Sequence, residues 1–302
     1  MPNASPTDRL LSIPFPLTGD LGWKKFLETE AHVHFATVGE HRLRVVEVGV
    51  GEPVLLVHGL GDSAYTWHRN LRALAEAGFR AVAYDHPGCG KSALPAGFRF
   101  GVDDLTRLAL GLLDALDIER AHLVGSSMGG GIGLQLAINR PQRLRRVVLV
   151  TPTCYHAIFR PFVYLLRCPP ICALCRHLGG PWLAGPVLRS VYGDPALLTP
   201  QVVAQYRMAA RRPKYLQAFT GMLRDYWNHA FAETVRSYRE TRVPLHVVWG
   251  AQDVWISARC VQRLVADTGA GLTVIAGAGH LAQQARPEPF NEAVICFLGS
   301  GR

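Results

Sequence analysis

The sequence is poor in lysine, poor in charge as a whole, and lacks a nucleic-acid-binding motif. Of its 32 basic residues only four are lysines, and charged residues make up 18% of the 302-residue chain. The net charge of +9 therefore comes from arginines that are spread along the chain. Because nucleic-acid recognition needs a basic stripe together with a reading module, we expect no nucleic-acid partner.

Long apolar runs and a leader-like start are also lacking. No stretch reaches the roughly 18 uninterrupted apolar residues of a membrane span. The N-terminal segment MPNASPTDRLLSIPFPL contains Asp8 and several prolines before any sustained apolar run, which is unlike a signal peptide. We therefore expect a soluble, cytoplasmic protein without a membrane span, whose oligomeric state the sequence leaves open.

The seven cysteines lack the spacing of a disulfide framework. Cys168, Cys172, Cys175 and His177 lie close together in RCPPICALCRHL, but no second paired half accompanies them. Since these cysteines lie among apolar residues, we interpret them as buried thiols and expect no metal. Nothing else in the sequence indicates a cofactor.

Short apolar runs alternate with helical patterns along most of the chain. This alternation predicts an α/β fold with a parallel sheet and helices on both faces. Residues 153–242 break the pattern, because they are rich in Tyr, Trp, Pro and Arg and contain no strand-like run. We therefore predict a core domain of residues 1–152 and 243–302 and a helical cap of residues 153–242. The predicted strands of the core are RLRVVEVG, PVLLVHG, RAVAYDHPG, RAHLVGSS, RRVVLVTP, VPLHVVWG and LTVIAGAG.

Five glycines surround two adjacent serines in HLVGSSMGGGIG, between a predicted strand and a predicted helix. A phosphate-binding loop would need Lys-Ser or Lys-Thr after the glycines, and neither is present. The pentapeptide Gly-Ser-Ser-Met-Gly instead fits Gly-x-Ser-x-Gly, the sharp turn that exposes a nucleophilic serine. Ser127 is the predicted nucleophile, and Ser126 is interpreted as a supporting group.

A serine hydroxyl needs a base, and the base needs an orienting acid. Asp253 follows the predicted strand VVWG, and His280 follows the next one, VIAGAG. The chain order Ser, Asp, His is the order expected for a nucleophile on such a turn. We predict a catalytic triad of Ser127, Asp253 and His280.

The oxyanion of the transition state needs preorganised N–H donors. Met128 offers one at the start of the helix, and Leu60 in HGLGDS is the best candidate for the second. His58 in the same turn is interpreted as structural. Asp85, which opens the Gly-rich turn DHPGCGKS, is interpreted in the same way.

HGLGDS, DHPGCGKS, GSSMGG, WGAQD and GAGH together resemble the landmarks of the α/β-hydrolase superfamily, in the expected order. The resemblance implies an eight-stranded, mostly parallel sheet with a helical cap inserted after the sixth strand. LLDALDIERAHLVGSSMGG, YGDPALLTP and GHLAQQARPEPFN further resemble the meta-cleavage-product hydrolases, which split carbon–carbon bonds in ring-opened dienoates. That family commonly has Asn before the nucleophile and Trp after the histidine, where this chain has Ser126 and Leu281, and Pro-Gly where Asp62 and Ser63 follow Gly61.

These departures favour ester hydrolysis, so we predict a serine carboxylesterase acting on a small-molecule ester with an apolar acyl or alkyl group. The carbon–carbon hydrolase is the alternative, and it would use a cap arginine, for which Arg207 is the possible match. A ligand receptor of the same fold without turnover, and a lipase opening at a lipid surface, are further alternatives.

Overall fold

The computed structural model describes residues 20–155, 168, 170–171, 180–226 and 235–300. Their strands form one eight-stranded sheet in the order β1-β2-β4-β3-β5-β6-β7-β8. β1 and β4 pair antiparallel with β2, and all other neighbours pair parallel. The predicted mostly parallel, eight-stranded sheet is thereby confirmed. The strands are β1 (His32–Val38), β2 (His41–Val48), β3 (Glu52–Val57), β4 (Phe79–Tyr84), β5 (Ala121–Ser126), β6 (Leu144–Val150), β7 (Leu245–Gly250) and β8 (Gly271–Ile275).

β1 is the one strand that the sequence pattern did not predict. It is an edge strand, and only Ala36 of its seven residues is buried. An edge strand that faces solvent needs no apolar run, so HVHFATV contains too weak a hydrophobic signal.

Helices cover both faces of the sheet, as predicted. Apolar side chains of the central strands alternate between two core layers: Leu55 and Val57 pack in one, Val54 and Leu56 in the other, and all four are fully buried. A strand covered on both faces needs such a continuous apolar run. The helices are α1 (Leu21–Thr29), α2 (Leu71–Glu76), α3 (Val102–Ala115), α4 (Met128–Asn139), α5 (Gly180–Tyr192), α6 (Pro200–Ala210), α7 (Pro213–Asp225), α8 (Ala258–Thr268), α9 (Ala282–Ala285) and α10 (Pro287–Gly299).

Three of these helices, α5, α6 and α7, lie between β6 and β7 and are called the cap helices below. Each starts with or shortly before a proline, at Pro181, Pro200 and Pro213, where the missing N–H costs the helix no hydrogen bond. The position after the sixth strand agrees with the sequence-based expectation, whereas the exact domain boundaries at 153 and 242 stay a prediction.

The cap helices contact the turns at the carboxyl edge of the sheet. The Tyr215 hydroxyl of α7 donates to the Gly61 carbonyl at 2.7 Å. The Gly279 and Leu281 N–H groups donate to the carbonyls of Tyr192 and Val191 at the end of α5, at 2.9 and 3.0 Å. In the described part of the chain no helix is long and apolar enough to cross a bilayer.

Candidate active site

Ser127 occupies the turn between β5 and α4 in a backbone conformation that only glycine adopts easily. Its φ is 53° and its ψ is −114°. A left-handed φ at a residue with a Cβ costs on the order of 1–3 kcal/mol, so the surrounding packing has to enforce it. The strained turn lifts the side chain away from both the strand and the helix.

Two glycines make this turn possible because the backbone approaches itself closely on each side. A Cβ at Gly125 would clash with the Gly129 carbonyl, and a Cβ at Gly129 would clash with the Val57 carbonyl. Gly59 packs on Ser127 itself, since a Cβ at Gly59 would lie 3.1 Å from the Ser127 Cβ. The glycines thus allow the backbone segments around Ser127 to pack closely, and they do not form a phosphate-binding loop.

Asp253 and His280 lie on the loops that follow β7 and β8, and they are hydrogen-bonded. His280 Nδ1 lies 2.9 Å from Asp253 Oδ2. The other carboxylate oxygen accepts the N–H groups of Trp255 at 2.7 Å and Ile256 at 3.0 Å. With its orientation fixed from both oxygens, the carboxylate sets which ring nitrogen of His280 bears the proton, leaving Nε2 able to accept one.

The nucleophile turn and the histidine loop are joined through the end of β6. The Ser127 N–H donates to the Val150 carbonyl at 2.9 Å, and the Thr151 hydroxyl donates to the His280 carbonyl at 2.9 Å. Within the described residues the Ser127 hydroxyl makes no hydrogen bond to the His280 ring. Such bonds commonly close only when substrate is bound. The three predicted triad residues thus meet at one edge of the sheet.

The two predicted oxyanion donors lie on either side of Ser127. Met128 is the first residue of α4, where backbone N–H groups have no acceptor within the helix. Leu60 follows Gly59, the residue that packs on Ser127, and its N–H bonds to no acceptor among the described residues. The two N–H groups therefore stay the predicted donors to a carbonyl oxygen bound at Ser127.

His58 is a buried structural residue, as the sequence analysis expected. Its Nδ1 lies 2.8 Å from the Gly59 carbonyl and its Nε2 accepts the His86 N–H at 2.9 Å. Burial lowers the pKa of His58 to about 4, so the ring is neutral at physiological pH. Both nitrogens are engaged with backbone, which leaves His58 no capacity to serve as a base.

The Asp85 carboxylate is likewise fully engaged in structural contacts. Its carboxylate accepts the N–H groups of Ala64 at 2.7 Å and Lys91 at 2.9 Å, and it pairs with the Arg44 guanidinium at 3.3 Å. The side chain is fully buried. It ties the turn after β4 to β2 and to the short helix that follows the oxyanion turn.

A buried polar network lies beside Ser127, and the sequence pattern did not predict it. The Gln283 side chain donates to the hydroxyls of Ser126 at 3.1 Å and Thr66 at 3.0 Å. Gln284 donates to Thr66 at 2.8 Å and to Tyr206 at 2.7 Å. Ser126 is therefore a supporting group, held from the helix that follows His280. The two glutamines in GHLAQQ are the one signal the sequence offered.

The network ends at Asp62, next to the oxyanion turn. Tyr206 of α6 donates its hydroxyl to Asp62 Oδ1 at 2.9 Å, and the Ser63 N–H donates to the same atom at 2.8 Å. Burial raises the pKa of Asp62 to about 7, with the nearby Asp85 adding a smaller contribution. An acid that changes charge near neutral pH thus lies between the core and the cap helices.

Among the described residues one group offers ligand atoms close enough together for a metal ion, namely His32, His34 and Glu47 on β1 and β2. Two of the three are already paired, since Glu47 binds His34 and Arg80, each at 2.6 Å, and His32 stacks on His34. They lie on the far edge of the sheet from Ser127. Of the cysteine cluster considered above, Cys168 is exposed, whereas Cys172, Cys175 and His177 lie outside the described residues.

Arg207 is buried on α6, with 4% of its surface exposed. Its Nη2 would lie 3.8 Å from a Cβ at Gly185 of α5, so the guanidinium points between two cap helices. Trp255 also reaches the cap helices, because its indole N–H donates to the Ser190 hydroxyl at 3.0 Å while its ring lies 6.1 Å from that of His280.

Comparison with known proteins gives consistent matches. A family model described as alpha/beta hydrolase fold matches residues 52–166. A 2-hydroxy-6-oxononadienedioate/2-hydroxy-6-oxononatrienedioate hydrolase of Cupriavidus pinatubonensis is 31% identical over 277 residues, covering 86% of this chain and 92% of the relative. The dihydrolipoyllysine-residue acetyltransferase component of an acetoin cleaving system of Pseudomonas putida is 32% identical over 281 residues, covering 87% of this chain and 68% of the relative.

Among solved structures, the meta-cleavage product hydrolase CumD of Pseudomonas fluorescens IP01 superimposes with a TM-score of 0.77. The match covers 89% of this chain and 98% of that one at 24% sequence identity. At this identity the likeness is one of fold.

Proposed function

The chain belongs to the α/β-hydrolase family, and we propose that it is a serine hydrolase that cleaves carboxylic esters, with Ser127 as nucleophile. The observation that carries the proposal is the meeting of Asp253, His280 and the strained Ser127 turn at one sheet edge. Acyl transfer needs this set of groups: a nucleophile held out of the backbone, a base, and an acid that orients the base.

In the proposed reaction the Ser127 oxygen attacks the ester carbonyl carbon while its proton passes to His280 Nε2. The resulting oxyanion accepts hydrogen bonds from the N–H groups of Leu60 and Met128. When the tetrahedral intermediate collapses, the bond to the alkoxy oxygen breaks and His280 gives its proton to the leaving alcohol. Water then attacks the acyl-enzyme with His280 as base, which releases the carboxylic acid and regenerates free Ser127.

Ester cleavage is favoured over carbon–carbon cleavage by the residues around the oxyanion turn. Asp62 lies next to the predicted oxyanion turn, and its negative charge above a pKa of about 7 disfavours an anionic substrate there. Ser126, where the carbon–carbon hydrolases commonly have Asn, is held by Gln283. An alkoxide leaving group takes its proton directly from His280, whereas a carbon leaving group needs further stabilisation of the developing carbanion.

The carbon–carbon hydrolase is retained as the second candidate on two observations. The relative from C. pinatubonensis is named for such a substrate class. Arg207, the match to the cap arginine of that family, is buried on α6 with its guanidinium near Gly185 of α5.

The test is the hydrolysis of p-nitrophenyl esters of increasing acyl length by the wild type and by Ser127→Ala and Ser126→Ala. We expect turnover that falls by roughly 10⁴-fold or more in Ser127→Ala and by less than about tenfold in Ser126→Ala, since Ser126 only supports the turn. The chain-length optimum reports the depth of the acyl pocket.

Equal losses in the two serine variants would contradict the assignment of Ser127. Absence of turnover with every ester, combined with cleavage of a ring-fission dienoate that depends on Ser127, would replace the esterase by the carbon–carbon hydrolase. Inactivity with both substrate classes would leave a ligand receptor of the same fold.

A further inference from the structure

A cleft with a volume of about 600 Å³ lies between the turn after β4 and the start of α7, outside the candidate active site. Its floor is the Gly-rich turn GCGKS, a motif that the proposed reaction does not use. Gly88 and Gly90 adopt positive φ values of 77° and 47°, which fold this turn tightly under cap helix α7. The cleft is lined by Phe35, Arg42, Gly88, Gly90, Lys91, Ser92, Ala93, Arg212, Pro213 and Lys214.

Four of the ten lining residues are cations, and none is acidic. Lys91 and Lys214 are two of the four lysines in the whole chain. Within the described residues none of the four lining cations forms an ion pair with a carboxylate. Their contacts are with neutral groups instead: Arg42 stacks on the Phe35 ring at 3.9 Å, and Arg212 donates to the Gly90 carbonyl.

The acid that is bonded to this turn, Asp85, is already paired. Asp85 lies beneath the turn, where it accepts the Lys91 backbone N–H at 2.9 Å and pairs with Arg44 at 3.3 Å. Its side chain is fully buried. The cations therefore face the cleft without a counter-charge, and their mutual repulsion would be relieved by a bound anion.

We propose that this cleft binds a small molecule that carries a phosphate group. Two guanidinium groups and two ammonium groups match the several oxygens and the double charge of a phosphate better than a single carboxylate. Phe35, Ala93 and Pro213 supply an apolar surface for the organic part of the ligand. The volume lies within the range of about 300–1,000 Å³ that is usual for small-molecule sites, which favours such a ligand over a macromolecule.

A ligand in the cleft would lie close to the proposed active site. Lys214 precedes Tyr215, whose hydroxyl donates to the Gly61 carbonyl of the oxyanion turn at 2.7 Å. A Cβ at Gly88 would lie 2.7 Å from the Ala218 Cβ, so the turn and α7 are in close contact. A ligand in the cleft would therefore hold the start of α7 to the core.

Binding is measured directly by isothermal titration at constant ionic strength, with pyrophosphate and phenyl phosphate as probes. The variant is the double substitution Lys91→Gln and Lys214→Gln. The matched control is Lys24→Gln with Lys25→Gln, which removes the same charge from α1. Benzoate serves as the singly charged counterpart of phenyl phosphate.

We expect one site per chain, tighter binding of phenyl phosphate than of benzoate, and an affinity that falls about tenfold or more in the cleft variant. The control variant should remain within about twofold of wild type, because the lost charges lie outside the cleft. Neither result depends on ester hydrolysis, so this site and the proposed function are tested separately.

Absence of binding at millimolar probe concentrations, or equal losses in the cleft and control variants, would overturn the proposal. Binding to phosphatidic acid vesicles but to neither soluble probe would overturn it too, in favour of a lipid surface. Unchanged thermal unfolding of the double variant confirms that a loss of affinity is not a loss of fold.

Discussion

The Asp253 carboxylate is hydrogen-bonded to the His280 ring, with 2.9 Å between Oδ2 and Nδ1. Its other oxygen accepts hydrogen bonds from two backbone N–H groups. The aspartate is thus oriented before any substrate arrives. Its proposed contribution is to keep the imidazole in one tautomer and to stabilise the imidazolium that forms during the reaction.

Replacing Asp253 by Asn should therefore lower kcat for ester hydrolysis by roughly 10⁴-fold, because the amide favours the wrong tautomer of His280. The substrate-binding surface is unchanged, so KM should change little. The control is Asp114→Asn, whose side chain is 62% exposed. Steady-state kinetics of the three proteins give the comparison, and a similar kcat for Asp253→Asn and wild type would remove Asp253 from the triad.

The strained backbone of Ser127 predicts a stability difference between two inactive variants. Ser127→Gly relieves the cost of a φ of 53°, which Ser127→Ala retains. We expect the glycine variant to have a free energy of unfolding about 1 kcal/mol higher than that of the alanine variant, although glycine usually destabilises. Urea unfolding measures this difference, and a less stable glycine variant would show that the turn is not strained.

Gly129 should not tolerate a side chain. A Cβ there would overlap the carbonyls of Val57 and His58, so Gly129→Ala must displace either β3 or the nucleophile turn. We expect a loss of about 3 kcal/mol or more in the free energy of unfolding, together with loss of activity. The control is Gly299→Ala at the end of α10, where the added methyl group meets nothing within 4 Å. Equal free energies of unfolding for the two variants would show that the backbone does not approach Gly129 closely.

The raised pKa of Asp62 predicts that its contribution to the free energy of unfolding falls as the pH rises. Its pKa is about 7 in the folded protein, against an ordinary value of 3.8, so the folded state binds more protons between these two values. The contribution is complete below pH 3.8 and is lost progressively up to pH 7. Asp62→Asn removes this titration, and we expect the variant to gain about 4 kcal/mol relative to wild type between acidic and alkaline pH.

The comparison of Asp62→Asn with wild type across pH cancels the titration of other groups, including buried His58, whose lowered pKa acts in the opposite direction. Chemical unfolding at pH values on both sides of neutrality provides the measurement. A difference between the two proteins that does not vary with pH would mean that Asp62 titrates as an ordinary carboxyl.

The sequence was sufficient to predict the parallel sheet, the helices on both faces and the positions of Ser127, Asp253 and His280 at strand ends. Buried parallel strands contain continuous apolar runs, and a nucleophile turn needs small residues at fixed spacing, so both leave a local signal. β1 left none because a solvent-facing edge strand needs no apolar run.

The network from Asp62 through Tyr206 to Gln284 could not be predicted for a different reason. Its members are separated by 144 and 78 positions in the chain, and they meet only because α6 and α9 fold onto the same turn. Contacts of this kind depend on tertiary packing, which residue spacing does not encode. The cationic cleft has the same origin, since Arg42, Lys91 and Lys214 come from three distant segments.

The backbone hydrogen bonds from Gly279 and Leu281 to the end of α5 flank His280 on both sides. A displacement of this end of α5 would therefore also move the loop that contains His280. α7, by contrast, contacts the turn at Gly61 through a side-chain hydroxyl, that of Tyr215. The histidine loop is therefore coupled to α5 through the backbone, whereas the turn at Gly61 is coupled to α7 through a side chain.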